Sequence, residues 1–194
     1  LITRRAAVGV GAVVVLVALA SCAGGEPARP AASASPAGGT SAPAGGFNGT
    51  DVAWLQLTIA MNERILPVLD LAVDRAAAPG LRPFAAATRA AHVEELRRLR
   101  ALQRQAALPA ANPHEGHDMP GMVTAAGLAG LRDVDGRGFD RLFADALRGH
   151  LDQAARLAGS ERKAGAHPEV VRLAEAIEQD RTAQRARLDA LLSR

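Results

Sequence analysis

Apolar and polar residues fall into three regimes along the 194-residue chain. From Ala6 to Ala20 the run is apolar, behind the basic pair Arg4-Arg5. A transmembrane helix takes about 20 apolar residues, so this run is short for a span. A basic start, an apolar centre and small residues after it have the form of a secretory signal peptide, here residues 1–21. From Ala23 to Gly46 the chain uses Ala, Gly, Pro, Ser and Thr almost exclusively and shows no period. Such a stretch cannot bury enough apolar surface to order itself, and residues 22–46 read as a flexible tether.

From Phe47 onward the apolar positions recur at helical spacing. Positions 54, 58, 61, 65, 68 and 72 hold Trp, Thr, Met, Ile, Val and Ala, and the adjoining track 55, 59, 62, 66 and 69 holds Leu, Ile, Asn, Leu and Leu. Together they form the broad inward stripe of a bundle helix. This first helix is expected to start at a Thr50 or Asp51 cap and to stop near Ala77, before Pro79-Gly80. A second is expected over about Leu81–Ala107 with Phe84, Leu96, Leu99 and Leu102 inward. A third follows over about Phe139–Ser160 and a fourth over Pro168–Leu192, where proline suits the first turn and His167 falls at the cap. No segment alternates as a strand would.

The pattern repeats. Asp51, Trp54, Pro79, Ala85, Leu99 and Leu102 find Asp140, Phe143, Pro168, Ala174, Leu188 and Leu191 at one constant offset of 89 positions. Two copies of a helical hairpin are too few and too long for a solenoid, so they predict one closed bundle. The folded part, 47–194, then comprises repeat one (51–107), a long connection (108–136) and repeat two (137–193). The fold expected is an all-α four-helix bundle of two repeated hairpins.

Charge and cysteine content narrow the setting. The formal net charge of +3 falls to about +1 once Arg4 and Arg5 leave with the signal, which removes any case for a nucleic-acid partner. The single cysteine, Cys22, follows Leu19-Ala20-Ser21. That placement resembles the cleavage box of bacterial lipoproteins. The resemblance implies a diacylglyceryl-modified Cys22 and a protein anchored to the outer face of the cytoplasmic membrane. One lipidated cysteine leaves no thiol for a disulfide or a thiolate metal site.

Candidate chemistry concentrates in the connection. Its length of about 30 residues far exceeds the 2–8 usual in bundles, and long connections are where function tends to sit. Two of the five histidines and two of the three methionines lie there, as His114, His117, Met119 and Met122. Imidazole suits copper, zinc, iron and nickel, whereas thioether sulfur favours cuprous copper, so the mixture selects copper. Glu115 and Asp118 can assist with an oxidised ion, and the interleaved Pro and Gly keep the segment out of a helix. Exposed methionines are open to oxidation and add no packing, which argues against their being incidental.

A weaker constellation lies within the helices. Met61 and His150 are equivalent under the offset of 89 and both fall on the inward stripe, facing each other across the pseudo-twofold axis. His92 is expected at the bundle boundary, and His167 as a cap. Asp133-Val134-Asp135-Gly136 starts like a calcium loop but lacks its later ligands and reads as a turn. The chain shows no nucleophile–base pair and no phosphate-binding glycine loop. It also lacks the Glu and Glu-x-x-His set of a di-iron bundle. A binding protein rather than an enzyme is expected.

Three segments carry a resemblance to a known family. Phe47-Asn48-Gly49-Thr50-Asp51-Val52-Ala53-Trp54, the stretch His114 to Met122, and Phe139-Asp140-Arg141-Leu142-Phe143 resemble the opening, linker and second-half start of the DUF305 (domain of unknown function 305) family. The likeness spans Phe47 to Leu192. It implies a ferritin-like bundle and, because the family includes copper-binding members of the CopM type, a copper ion as ligand. The family's Met-Ile-Pro-His-His motif is degenerate in both repeats, as Thr58-Ile59-Ala60-Met61-Asn62 and Leu147-Arg148-Gly149-His150-Leu151. Copper sequestration or handling through the His/Met connection is the function these features lead us to expect. The alternative is a surface lipoprotein whose bundle serves as a scaffold without metal.

Overall fold

The computed structural model describes residues 45–114 and 117–193. The signal segment, Cys22, nearly all of the tether, and Glu115 with Gly116 lie outside the described residues. Five helices are present among the described residues: α1 (Gly49–Arg75), α2 (Leu81–Gln105), α3 (Ala125–Arg132), α4 (Gly136–Ala164) and α5 (Pro168–Leu192). The four long ones are those the periodicity predicts, and among the described residues there is no strand.

Three details depart from the sequence reading. The cap of α1 is Asn48, not Thr50 or Asp51. Asn48 Oδ1 accepts from the Asp51 amide while the Asp51 carboxylate accepts from the Asn48 amide, a reciprocal capping box. The long connection is not wholly irregular, because Thr124 caps the short helix α3 by accepting from the Gly127 amide. His167 stands at the cap of α5 but its side chain makes no capping bond; its ring stacks on Phe47 at 3.9 Å. The Asp133–Gly136 stretch is the turn expected, with Gly136 at a φ of 61° between α3 and α4.

Within each hairpin the two helices pack along their length, α1 on α2 and α4 on α5. The hairpins meet mainly through α1 against α4, with α2 against α5 closing the bundle more thinly. The predicted stripe of α1 is the buried one: Trp54, Leu55, Thr58, Ile59, Met61, Asn62, Ile65, Val68, Leu69 and Ala72. Two apolar clusters fill the ends. One gathers Leu69, Phe84, Phe139, Phe143 and Leu147, the other Trp54, Leu99, Val170 and Ile177. Each fully buried aliphatic or aromatic side chain there contributes about 1.5–3 kcal/mol.

The repeat also shows in a pair of polar clasps. The Asp140 carboxylate accepts from the amides of Ala77 and Ala78, both at 2.9 Å, in the turn of the first hairpin. Eighty-nine positions away, Asp51 accepts from the equivalent amides of Ala166 and His167, at 3.1–3.2 Å, in the turn of the second. Each hairpin therefore ties off the turn of the other. Amides in a turn between helices have no helical partner, and a buried carboxylate satisfies two of them at once.

The clasps differ in their other neighbours: Asp51 also accepts from the Asn48 amide, and it has an acidic companion. Glu161 is fully buried beside Asp51, and among the described residues neither of its oxygens meets an N–H donor. Burial, a hydrogen bond with Asp51 and the Asp51 charge push the Glu161 carboxyl up to about 8. Burial also acts to raise Asp51, but the bonds from Asn48, Glu161, His167 and Ala166 outweigh it and hold Asp51 below the usual carboxylate range. Raised this far, the Glu161 carboxyl keeps its proton at neutral pH while Asp51 is ionised.

Candidate functional site

The connection leaves α2 and runs back over α1, tied there by side chains that donate to backbone carbonyls. Asn112 Nδ2 donates to the Gln56 carbonyl at 3.1 Å, and Asn112 Oδ1 accepts from the His114 amide at 2.9 Å. Arg64 of α1 then donates to the His117 carbonyl at 2.9 Å. These ties set the His114 and His117 rings edge to face, with centroids 5.9 Å apart. His114 is half-buried and His117 exposed. Beneath them opens a cleft of about 690 Å3, lined by Ala60, Glu63, Arg64, His117, Asp118 and Leu128 among others.

Past Asp118 the chain turns inward. The Met122 amide donates to the Met119 carbonyl at 3.0 Å, closing a tight turn with Gly121 at a φ of 78°. Glycine is required there twice over. The left-handed backbone disfavours a side chain, and a Cβ would collide with Gln153 and approach the Gly149 carbonyl to 2.8 Å. Pressed this closely on α4, the turn drives Met122 into the bundle seam. Met122 packs there with Met61 of α1, Ala60 and Ala154, and Met119 packs against the same group.

The connection gives its four candidate ligands two kinds of surroundings. His114 and His117 stay together at the surface, while Met119 and Met122 join Met61 underneath. All three methionines of the chain meet in one cluster. Three thioethers suit a soft cation and are poor donors for a hard one. Among the described residues no three His, Cys, Asp or Glu side chains gather at one point.

The intrahelical constellation is also rearranged. His92 is not at the boundary: it is fully buried, and its Nε2 lies 3.0 Å from Nε2 of His150. His92 Nδ1 stands 2.8 Å from the Thr88 carbonyl. The side-chain spacing held the signal for this burial, since His92, Leu96 and Leu99 occupy successive turns of one stripe. His150 is 1% exposed, and the Gly121 backbone carbonyl faces its ring as a hydrogen-bond acceptor. The loop backbone at Gly121 stands against this ring, and His150 lies one turn before Ala154 of the methionine cluster.

A buried ion pair completes the layer. Arg181 of α5, 1% exposed, donates from Nη2 to both oxygens of Glu95 at 2.6 and 2.7 Å. Asn62 of α1 donates to the same carboxylate at 2.7 Å. Neither Glu95 nor Arg181 stood out in the sequence as part of a site. Arg181 is the 89-offset equivalent of His92, and that inward register was the available signal. Burial, followed by the Arg181 charge, holds both histidines well below the usual imidazole range, and for His92 the His150 ring adds to this. Both imidazoles are therefore neutral at physiological pH, the form in which a ring nitrogen can donate to a metal.

Comparison with known proteins places this geometry in context. No curated protein matches the chain in sequence. Its fold is similar to a DUF305 fragment from Deinococcus radiodurans, with a TM-score of 0.69 and 20% identity over 77% of this chain and 99% of that one. A DUF305 protein from Streptomyces coelicolor, described as a candidate secreted protein, gives 0.67 and 17% over 74% and 92%. CopM in its Cu(II)-bound form gives 0.63 and 19% over 72% and 93%. At these identities the likeness speaks to the fold. The sequence model of the family described as "Domain of unknown function (DUF305)" matches residues 51–192, both hairpins and the connection between them, and the chain belongs to that family.

Proposed function

We propose that the protein is an extracytoplasmic copper-binding protein rather than an enzyme, holding the ion at the seam between the connection and the bundle. Met61, Met119 and Met122 supply thioether donors suited to cuprous copper. His114 and His117 form an outer pair above the cleft, where an arriving ion meets them first. The observation that carries this reading is the convergence of every methionine in the chain on one cluster beneath a histidine-bearing loop. CopM, which shares the fold, has been crystallised with Cu(II) and with Cu(I), and this supports the choice of metal. The Cys22 lipid anchor would hold the bundle at the outer face of the membrane, with the 22–46 tether as spacer.

The test is competition for Cu(I) against a chromophoric chelator. The purified protein should withdraw copper from the chelator, and Met61→Leu/Met119→Leu/Met122→Leu should abolish that while leaving the fold intact, because Met-to-Leu exchanges conserve volume. His114→Ala/His117→Ala should slow capture and weaken binding less. Failure of the native protein to compete would overturn the reading. It would favour the scaffold alternative, for which the fixed Arg181 charge in the middle of the bundle already speaks.

A further inference from the structure

We propose that the end of the bundle at which the tether enters is a docking surface for anionic phospholipid headgroups, centred on the cleft between α2 and α5. This rests on the surface-lipoprotein reading above and is independent of the copper reading.

The four long helices meet at that end. Phe47 and Trp54 pack there with Leu102 and Ala106 at the end of α2, Ala158 of α4 and Val170 of α5. Asn48 Nδ2 donates to the Ala164 carbonyl at 2.8 Å, which ties the entry of α1 to the end of α4. From Arg97 to Gln105, α2 carries Arg97, Arg98, Arg100 and Arg104 and no acid. The last turns of α4 add Arg156, Arg162 and Lys163, and the start of α5 adds Arg172; all eight cations are exposed. The acids of the same segments offset them only in part. Asp51 is buried against backbone amides and Glu161 is buried with its proton, so Glu169, Glu175 and Glu178 are those that reach solvent. Arg97 pairs with Glu94, Arg100 with Glu63 and Arg162 with Glu178. Among the described residues Arg98, Arg104, Arg156, Lys163 and Arg172 are in no ion pair. The chain without its signal is near neutral, so this excess of cations is offset elsewhere and the molecule is polarised.

Helix dipoles explain some of these residues and not others. Arg104 and Lys163 lie in the last turns of α2 and α4, where the dipole favours a cation in any protein. Arg97 and Arg98 lie further back, and Arg172 lies near the start of α5, the end that favours anions. What unites these three is a cleft of about 380 Å3, lined by Arg97, Arg98 and Gln105 of α2 and by Glu169 and Arg172 of α5. Guanidinium groups present forked donors that match phosphate oxygens. The remaining cations spread around this cleft over the ends of three helices, a distribution that suits a sheet of phosphates better than one free anion. Position adds a second argument. The chain leading from Cys22 enters the bundle at Phe47, so an acyl anchor brings this end to the headgroups first. The anchor then holds the protein at the membrane, and the basic end orients it there.

The test uses the mature chain, residues 22–194, with Cys22→Ser so that no acyl chain contributes. It should sediment with vesicles of equal parts phosphatidylglycerol and phosphatidylcholine, stay in solution with phosphatidylcholine alone, and be released by added salt. Arg98→Gln/Arg104→Gln/Lys163→Gln/Arg172→Gln should weaken binding to the anionic vesicles at least about tenfold, since each cation near such a surface contributes about fivefold. Arg132→Gln/Arg137→Gln/Arg141→Gln/Arg187→Gln removes the same charge from exposed positions at the opposite end. That variant should stay within about twofold of the native affinity, because charges beyond a Debye length are screened. Equal loss in both variants, each shown by circular dichroism to be folded, would mean attraction by net charge alone and would overturn the proposal. Binding to both vesicles alike, or to neither, would do the same. Displacement by inorganic phosphate at constant ionic strength would mark a site for a free anion and overturn it as well. The anchor itself is tested separately by the mass of Cys22 in the native protein: an unmodified cysteine would sink the lipoprotein reading and leave the vesicle result standing.

Discussion

The ends and the middle of this bundle treat its internal repeat in opposite ways. At the ends, Asp51 and Asp140 sit 89 positions apart and make the same bonds to the same equivalent amides. In the middle, the equivalent positions hold unlike residues: Met61 against His150, and His92 against Arg181. The difference follows from what each residue answers to. A clasp aspartate answers to backbone amides, which are the same in both copies whatever the side chains do. A middle-layer residue answers only to its neighbours, so both members can change together provided every buried polar group keeps a partner. The symmetric ends hold the hairpins in register, and the asymmetric middle is where one chain can carry a site that its ancestral repeat does not dictate.

The largest expected effect comes from opening the middle. Arg181→Met leaves the Glu95 carboxylate without its main partner, and Glu95→Gln leaves the guanidinium with too little compensation. Breaking one half of a buried pair typically costs about 3–5 kcal/mol, whereas replacing both halves by apolar residues is often near neutral. Urea unfolding should therefore show two strongly destabilised single variants and a Glu95→Met/Arg181→Met double variant close to native. Singles that each lose less than about 1 kcal/mol would mean the layer is wetter than its burial indicates, and the contrast with the ends would lose its basis.

A smaller effect tests whether the two clasps are in fact alike. Asp51→Ala and Asp140→Ala each remove a charged acceptor from two turn amides, a loss of about 1.5–3 kcal/mol per charge-assisted bond at most. At pH 6 both variants should be destabilised, Asp51→Ala the more because it also loses the bond from the Asn48 amide. They should part company at pH 9, where native Glu161 is ionised and repels Asp51. Removing Asp51 then relieves that repulsion, so its cost shrinks while that of Asp140→Ala stays flat. Denaturation of both variants at the two pH values decides this, and identical pH behaviour would make Glu161 irrelevant to the first clasp.

What the sequence revealed follows the same division. The four long helices, their inward stripes and the repeat were legible because burial of apolar residues at a 3.6-residue period leaves a direct trace in composition. The loop methionines were legible as candidate ligands, but not their destination: the left-handed turn at Gly121, wedged on α4, sends Met122 against Met61 in the bundle. His92 was misplaced at the boundary because a lone polar residue on a helix is usually solvated, and its partner His150 lies 58 residues away. The Glu95–Arg181 pair, 86 residues apart, and the Asp51–Glu161 contact were hidden for the same reason. Polar pairing across a bundle depends on helix rotation, and no local period records it.

The finest distinction between the ends is the proton on Glu161. In the unfolded chain its carboxyl titrates near the ordinary 4.5, and in the folded protein at about 8. Below the first value both states hold the proton and the contribution to stability is complete. Between the two values the unfolded chain has released it and the native state has not, so stability falls as pH rises, by at most about 1.4 kcal/mol per pH unit, and levels off above the second. Asp51 acts in the opposite sense, its lowered value giving stability that is lost only as pH falls through the acid range, outside this window. Glu161→Gln has no proton to lose, and its amide can still donate to Asp51. From pH 6 to 9 the variant should therefore gain steadily on the native protein in urea unfolding, with the difference reaching a plateau above pH 8. Parallel curves would show that Glu161 is already ionised at neutral pH, and the Asp51 clasp would then hold two carboxylate charges against the one of the Asp140 clasp, where the equivalent of Glu161 is Ala72.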